Sequence, residues 1–312
     1  MPQPRPSTAS PPSLRRQVVV VGAKGMLGST WRAALERTPL ADPADPTAPP
    51  LANRFLDLPD FDLRSEERVA QAIDERAALV INCAGYTDVD AAELNPDAAF
   101  EINARAVESL ARRCAQTGAL LVHYSTDYVF DGQRDTPYPA DHPVNPLNNY
   151  GRSKAAGEAA VLASGAAALL IRTSWLFAPT GRNFVRTIAD LCRRRSALRV
   201  VDDQRGRPTS TAHLVDATRK LLEAGARGLF HVSLQGQCSW FEYAKEIVLS
   251  ENAGCVVEPC SSDEYPLPAP RPRYSALDLS ATEALIGPAP HWKDELRRIL
   301  PLLAASTQSR SD

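Results

Sequence analysis

Along this chain, short and nearly continuous apolar runs alternate with longer segments whose apolar residues recur at helical spacing. Gln17-Val18-Val19-Val20-Val21, Ala78-Leu79-Val80-Ile81-Asn82-Cys83, Ala119-Leu120-Leu121-Val122-His123-Tyr124 and Ala168-Leu169-Leu170-Ile171-Arg172 are runs of the first kind. A strand that is apolar throughout has both faces covered, as in a parallel sheet with helices on either side. Asn53 to Leu58 supplies a further strand, as do Leu198 to Val201 and Gly228 to Val232. The helical stretches are Leu27 to about Arg37, Ser65 to Arg76, Asp97 to Thr117 and Tyr150 to about Ala163. In the third, Phe100, Val107, Leu110, Ala111 and Cys114 share one stripe. This alternation predicts an α/β fold with a doubly wound parallel (Rossmann) sheet, whose ligands lie at the carboxyl ends of the strands.

The pattern also divides the chain. Residues 1–16 are rich in Pro, Ser and Thr and read as a disordered tail. Residues 17–174 form the dinucleotide-binding part, to which a segment at about 198–232 returns. Residues 175–197 and 233–300 form a smaller C-terminal substrate-binding lobe, and 301–312 a second tail. Thr38 to Pro50 is a Pro-, Ala- and Asp-rich loop or insertion.

Composition narrows the function. Thirty-five Lys and Arg against 37 Asp and Glu leave a net charge of −2, without the basic excess of a nucleic-acid binder. No apolar run is long enough to span a bilayer, and the N-terminal stretch lacks the apolar core of a secretory signal. A cytoplasmic location without membrane partners is the expectation. Cys83, Cys114, Cys192, Cys238, Cys255 and Cys260 contain no Cys-x-x-Cys pair and read as reduced thiols, and the acidic residues lack metal-ligand spacing.

The chemistry concentrates at strand ends. Gly22, Gly25 and Gly28 follow the first strand and open a helix. Glycines there let the backbone approach a pyrophosphate, and the helix N-terminus favours its charge. A tight strand-to-helix turn is the alternative. After the second strand, Asp57 would suit a ribose 2′-hydroxyl, whereas Lys24, Arg54 and Arg64 would suit a 2′-phosphate. All four are equally readable as solvated surface groups. Asp62 and Leu63 lie further on, in reach of an adenine. Small residues after the third strand, at Asn82-Cys83-Ala84-Gly85-Tyr86-Thr87, leave room for a cofactor across the sheet edge. Asn103 falls on an apolar helix stripe, so its amide is expected to bond to backbone or ordered water near the site.

Thr126, Tyr150 and Lys154 form the proposed catalytic set. Tyr150 and Lys154 are four residues apart and share a helix face. An ammonium beside a phenol favours the phenolate, which predicts a lowered tyrosine pKa. Thr126 ends a strand, where its hydroxyl can hold a carbonyl oxygen. These are the parts of a nicotinamide-dependent carbonyl reductase. His123, His142 and His291 adjoin no nucleophile elbow, so a hydrolase triad competes poorly.

Longer motifs give a family resemblance. His123-Tyr-Ser-Thr-Asp-Tyr-Val-Phe-Asp-Gly132, Pro146-Leu-Asn-Asn-Tyr150-Gly-Arg-Ser-Lys154 with Gly157-Glu158, and Arg172-Thr-Ser-Trp175 resemble the extended short-chain dehydrogenase/reductases. More closely, they resemble the dTDP-4-dehydrorhamnose reductases. Asn183-Phe-Val185, Asp203-Gln-Arg-Gly-Arg-Pro-Thr209 and Arg271-Pro-Arg-Tyr-Ser-Ala-Leu-Asp278 extend the likeness from Val18 to about Leu296. The resemblance implies NADPH or NADH as cofactor and a nucleotide-linked 4-keto-deoxysugar as substrate. It implies that Gly25, Met26 and Leu27 touch the cofactor phosphates and Asp62 and Leu63 the adenosine end. Gly85, Tyr86 and Thr87 would line the cofactor groove with Tyr124 behind it. Thr126, Asp127 and Trp175 would hold the sugar, Trp175 through its apolar ring face. Tyr150 and Lys154 would serve cofactor and chemistry together. Arg271 and Arg273 are candidates for the substrate diphosphate, with a solvated loop as the alternative. A homodimer is a further expectation, and no acid cluster can be assigned to the metal some members carry at a subunit contact. A reductase of another deoxysugar, or a non-catalytic dinucleotide-binding regulatory subunit, would share the scaffold. The Thr38 to Pro50 segment and Asn149 before the tyrosine depart from the family pattern.

Overall fold

The structure, a computed structural model, describes residues 16–45, 47–251 and 254–308, with side chains up to 303. The expected N-terminal tail, apart from Arg16, lies outside the described residues. The first part runs β1 (Gln17–Val21), α1 (Met26–Arg37), β2 (Ala52–Leu56), α2 (Glu66–Ala72), β3 (Ala77–Asn82), α3 (Val89–Leu94), α4 (Pro96–Phe100), α5 (Ala106–Thr117), β4 (Leu120–Thr126), α6 (Asn149–Ala163) and β5 (Ala168–Thr173). The second runs β6 (Leu176–Phe177), α7 (Phe184–Cys192), β7 (Ala197–Val201), β8 (Arg205–Gly206), β9 (Thr209–Ser210), α8 (Thr211–Glu223), β10 (Gly228–His231), β11 (Cys238–Ser239), α9 (Trp240–Ser250), β12 (Val256–Cys260), α10 (Ser280–Ile286) and α11 (Trp292–Gln308).

Six strands form one sheet in the order β10-β5-β4-β3-β1-β2, and every neighbouring pair is parallel. The continuous apolar runs have the predicted cause. Val18 and Val20 face a core built with Trp31, Leu35 and Leu214, while Val19 and Val21 face one built with Val107, Leu110 and Val161. A third core, around Phe177, Ile188, Tyr243, Ile247, Trp292 and Leu296, belongs to the C-terminal lobe. No helix among the described residues is long and apolar enough to cross a membrane.

Three expectations need correction. The strand at Leu198 to Val201 does not return to the main sheet: as β7 it pairs with β12 in a separate two-stranded sheet, because Leu198 and Val200 bury into the lobe core. Residues 301–308 are not a tail but the end of α11. Leu296, Ile299, Leu300 and Leu303 form a stripe against the lobe core, and the helix runs through Pro301. The helix expected over Asp97 to Thr117 contains a π turn at Glu101–Arg105 between α4 and α5, a feature that recurs at functional sites. The Thr38 to Pro50 segment is mostly loop, anchored by buried Leu40 and by an Arg16–Asp42 ion pair of 2.8 Å.

Candidate active site

The glycine turn is fixed by crowding. A β-carbon on Gly28 would lie 2.1 Å from the Gly22 carbonyl oxygen, and Gly22 itself holds φ 75°. The turn delivers the chain into α1, whose N-cap Gly25 offers no side chain to the first-turn N–H groups. Those donors at the positive end of a twelve-residue helix suit an anionic phosphate. Gly85 and Thr87 are exposed just past β3, on the same edge of the sheet.

The adenosine end resolves differently from expectation. Asp57 follows β2 directly and accepts the Lys24 backbone N–H at 2.6 Å. Arg54 donates to the Ala72 carbonyl, and Arg64 forks onto Asp62, whose carboxyl it holds below the usual range. Leu63 is a buried core side chain. Beside Asp57 opens a cavity of about 300 Å3 lined in part by Lys24, Arg32, Asp60 and Arg68. Arg32, which lies over the Phe55 ring at 4.0 Å, was not among the sequence candidates. One helical turn past the glycines, it could have been found only by asking what a helix face brings over β2.

Helix α6, which carries Tyr150 and Lys154, starts where Asn148 caps it. The Asn148 side-chain oxygen accepts the Gly151 N–H at 2.8 Å while its side-chain NH2 donates to the Pro270 carbonyl, 122 residues on. Tyr150 thus stands in the first turn, and its phenol meets the Thr126 hydroxyl at the end of β4. The Thr126 hydroxyl donates to Asp127 at 3.0 Å and accepts the Tyr128 N–H. Tyr128 packs edge-on against Tyr150, ring centroids 6.0 Å apart.

Burial decides the protonation states. The Tyr150 phenol is pushed up to about 12, with the Thr126 hydrogen bond pulling it down and the Asp127 charge pushing it up. Asp127 itself is raised to about 7 by burial, against the hydroxyls of Ser275 and Thr126. Lys154 is lowered to about 8 by burial, a shift that Glu158 opposes. The expected lowering of the tyrosine by the lysine is therefore corrected. The Lys154 ammonium donates to the Tyr124 carbonyl at 2.6 Å, and the group that favours the phenolate is Thr126.

Asn103 sits in the π turn and bonds to backbone, as its place on an apolar stripe required. Its amide accepts the Tyr86 N–H at 2.8 Å and donates to the Tyr86 carbonyl and to Ser153, whose hydroxyl donates to the Tyr150 carbonyl. One side chain thereby locks the loop after β3 onto the catalytic helix.

Two expected contacts fall elsewhere. Tyr124 sends its phenol into the core between Trp31 and Thr218, so only its carbonyl reaches the site. Arg271 does not lie in a solvated loop but is mostly enclosed. It forks onto Asp90 at 2.6 and 2.8 Å. Arg273 is exposed. Trp175 follows β5 with its indole partly exposed.

Comparison with known proteins gives the family. The family model described as the RmlD substrate binding domain matches residues 16–304. The chain is 40% identical over 305 residues to a dTDP-4-dehydrorhamnose reductase of Mycobacterium tuberculosis, covering 93% of this chain and 94% of the relative. It is 38% identical over 295 residues to a probable dTDP-4,6-dihydroxy-2-methyloxan-3-one 4-ketoreductase of Streptomyces antibioticus, covering 92% and 96%. Among solved structures, a dTDP-4-dehydrorhamnose reductase of Clostridium acetobutylicum superimposes with a TM-score of 0.85 at 34% identity, covering 92% and 99%. One from Bacillus anthracis, in complex with NADP, gives 0.83 at 36% over the same shares. The chain belongs to the dTDP-4-dehydrorhamnose reductase family.

Proposed function

We propose that this protein reduces the C4 keto group of dTDP-4-dehydrorhamnose to dTDP-L-rhamnose with NAD(P)H, Tyr150 acting as general acid. The observation that carries the reading is the meeting of the Thr126 hydroxyl and the Tyr150 phenol at the end of β4, with Lys154 one turn along α6. The uncapped start of α1 and the exposed edge at Gly85 fit a dinucleotide. Gly25, Met26 and Leu27 would hold its pyrophosphate, and Asp57 or the cationic cavity beside it would hold the adenosine ribose. Bound NAD(P)H supplies the hydride to C4.

Everything else is asked of the chain's own residues. As the carbonyl oxygen gains charge, Thr126 and Tyr150 donate to it, and the Tyr150 proton passes to the alkoxide. A phenol whose pKa stands at about 12 still carries that proton at neutral pH, and an alkoxide is basic enough to take it. Lys154 places a buried positive charge beneath the pocket. Asp127, next to Thr126, is positioned for a sugar hydroxyl.

Loss of reduced-nicotinamide absorbance on addition of the dTDP-4-keto sugar, run with NADH and NADPH, tests the reading. Tyr150→Phe should fold and bind cofactor unchanged while losing ~100- to 10,000-fold in turnover. Undiminished turnover would remove the tyrosine from the mechanism. The likeness to the Streptomyces antibioticus ketoreductase favours one second reading, a related 4-keto-deoxysugar, and the same assay with several nucleotide sugars separates the two. A purely regulatory role is disfavoured because Thr126, Tyr150 and Lys154 are all present.

A further inference from the structure

Trp175 holds φ 47°, alone among the described non-glycine residues in the left-handed region. A bulky residue there is strained and must be held by its surroundings, and such outliers gather at ligand-binding positions. It stands two residues past the end of β5, on the edge that also carries Thr126, the register partner of Thr173. Its carbonyl accepts the Thr209 N–H at 3.2 Å.

Both faces of the indole have a close neighbour. Trp240 stacks on one, centroids 3.5 Å apart and planes 6° from parallel. Gly206 covers the other: a β-carbon there would lie 2.6 to 2.8 Å from Cε2, Cζ2 and Nε1. Nearly equal distances to three consecutive ring atoms put that carbon above the ring, not at its rim. Trp240 is itself braced by Phe184 at 4.5 Å and opens α9 under a Ser239–Glu242 capping box. The Trp175 Nε1–H is not among the enclosed polar groups that lack partners, and no described residue accepts from it.

We propose that Trp240 is a positioning residue for sugar binding, and that Trp175 meets the substrate with its indole edge and Nε1–H instead of a stacking face. The proposal rests on the function proposed above, in that the ligand is taken to be a nucleotide-linked sugar with hydroxyl or carbonyl acceptors. It replaces the ring-face contact expected from sequence. With Trp240 over one face and Gly206 against the Nε1–Cε2–Cζ2 side, the rim is the part of the indole assigned to the ligand. Trp240 excludes a sugar from one face and, with Gly206, holds the strained backbone in the orientation that aims the rim.

The test uses the full chain with Trp240→Ala, Trp240→Phe and Trp175→Phe. Calorimetry with dTDP-L-rhamnose, KM and kcat for the keto sugar, cofactor affinity and near-ultraviolet circular dichroism are measured on each. Trp240→Ala should weaken dTDP-L-rhamnose binding and raise KM about tenfold, the scale of one good hydrogen bond. Its kcat should change little, its cofactor affinity should be unchanged, and the coupled-indole signal should be lost. Trp240→Phe keeps a stacking ring and should recover most of the affinity. Trp175→Phe keeps a ring without the N–H and should lose as much as Trp240→Ala. Wild-type KM and affinity in either Trp240→Ala or Trp175→Phe would overturn the inference. If Trp240→Ala does not fold, Trp175→Phe decides alone. A wild type that binds dTDP-L-rhamnose in a Trp240-dependent way yet reduces no keto sugar would sink the proposed function and leave this inference standing. A wild type that binds none would sink both.

Discussion

At the scale of single residues, the site is governed by burial more than by charge pairing. Tyr150 rises because it is enclosed, and Asp127 beside it adds to the rise. With Tyr150 as the proposed general acid, reduction requires the protonated phenol, so activity should fall as pH climbs through the tyrosine pKa. Asp127→Asn removes a neighbouring negative charge and should move that alkaline limb to lower pH in a kcat/KM profile. Lys154 gives a second prediction. Its native pKa of about 8 lies below the ordinary lysine value of 10.5, so between those values the unfolded chain binds more protons than the native one. Native stability contributed by this group therefore rises with pH across that window. Relative to Lys154→Met, the wild type should gain stability between pH 8 and pH 10.5, by at most ~3 kcal/mol, in urea titrations at both ends. The identities of Thr126, Tyr150 and Lys154 were legible in sequence because strand ends and helix spacing place them. The direction of the lysine was not, because the Tyr124 carbonyl that takes it is a backbone group 30 residues away.

Among the elements, α6 carries most of the consequence. Its cap Asn148 is fully buried and ties the helix start to the Pro270 carbonyl as well as to the Gly151 N–H. Asn148→Ala should cost ~1–2 kcal/mol for the cap and lower kcat as well, since the first turn holds Tyr150. Thermal melts and turnover would show both. Further along, Glu158 and Arg172 form a buried ion pair of 2.6 Å. Glu158→Gln should destabilise by roughly 3–5 kcal/mol because it strands a buried guanidinium. The sheet strands were readable because both their faces are covered, which forces a run of apolar residues. β7 was misassigned because Leu198 and Val200 declare that one face is buried but not against which partner, and that partner, β12, begins 55 residues after β7 ends. The π turn was unreadable for a related reason: it inserts one backbone step ahead of the stripe of Val107, Leu110, Ala111 and Cys114, whose own spacing stays helical.

Over the whole molecule, Asp90 and Arg271 tie the segment at 269–271 to the first turn of α3, across 181 positions of sequence. The Asp90 carboxylate also accepts the Ala269 N–H. Asp90→Asn should therefore raise KM for the nucleotide sugar several-fold while leaving cofactor affinity alone, as stopped-flow binding and steady-state kinetics would reveal. No local pattern announces such a contact, and a charged residue beside prolines reads equally well as surface.

The chain leaves the main sheet after β5, builds part of the lobe, and comes back to add α8 against α1 and β10 against β5. Neither half is thus a module that can be lifted out with one cut. A fragment ending near Thr173 would bare the β5 rim together with the flank of α1 that Leu214, Leu221 and Leu222 cover, and size-exclusion chromatography should find it self-associated. Grafting a relative's lobe onto this scaffold would have to be done as two inserts, one on each side of the returning hairpin of helix and strand.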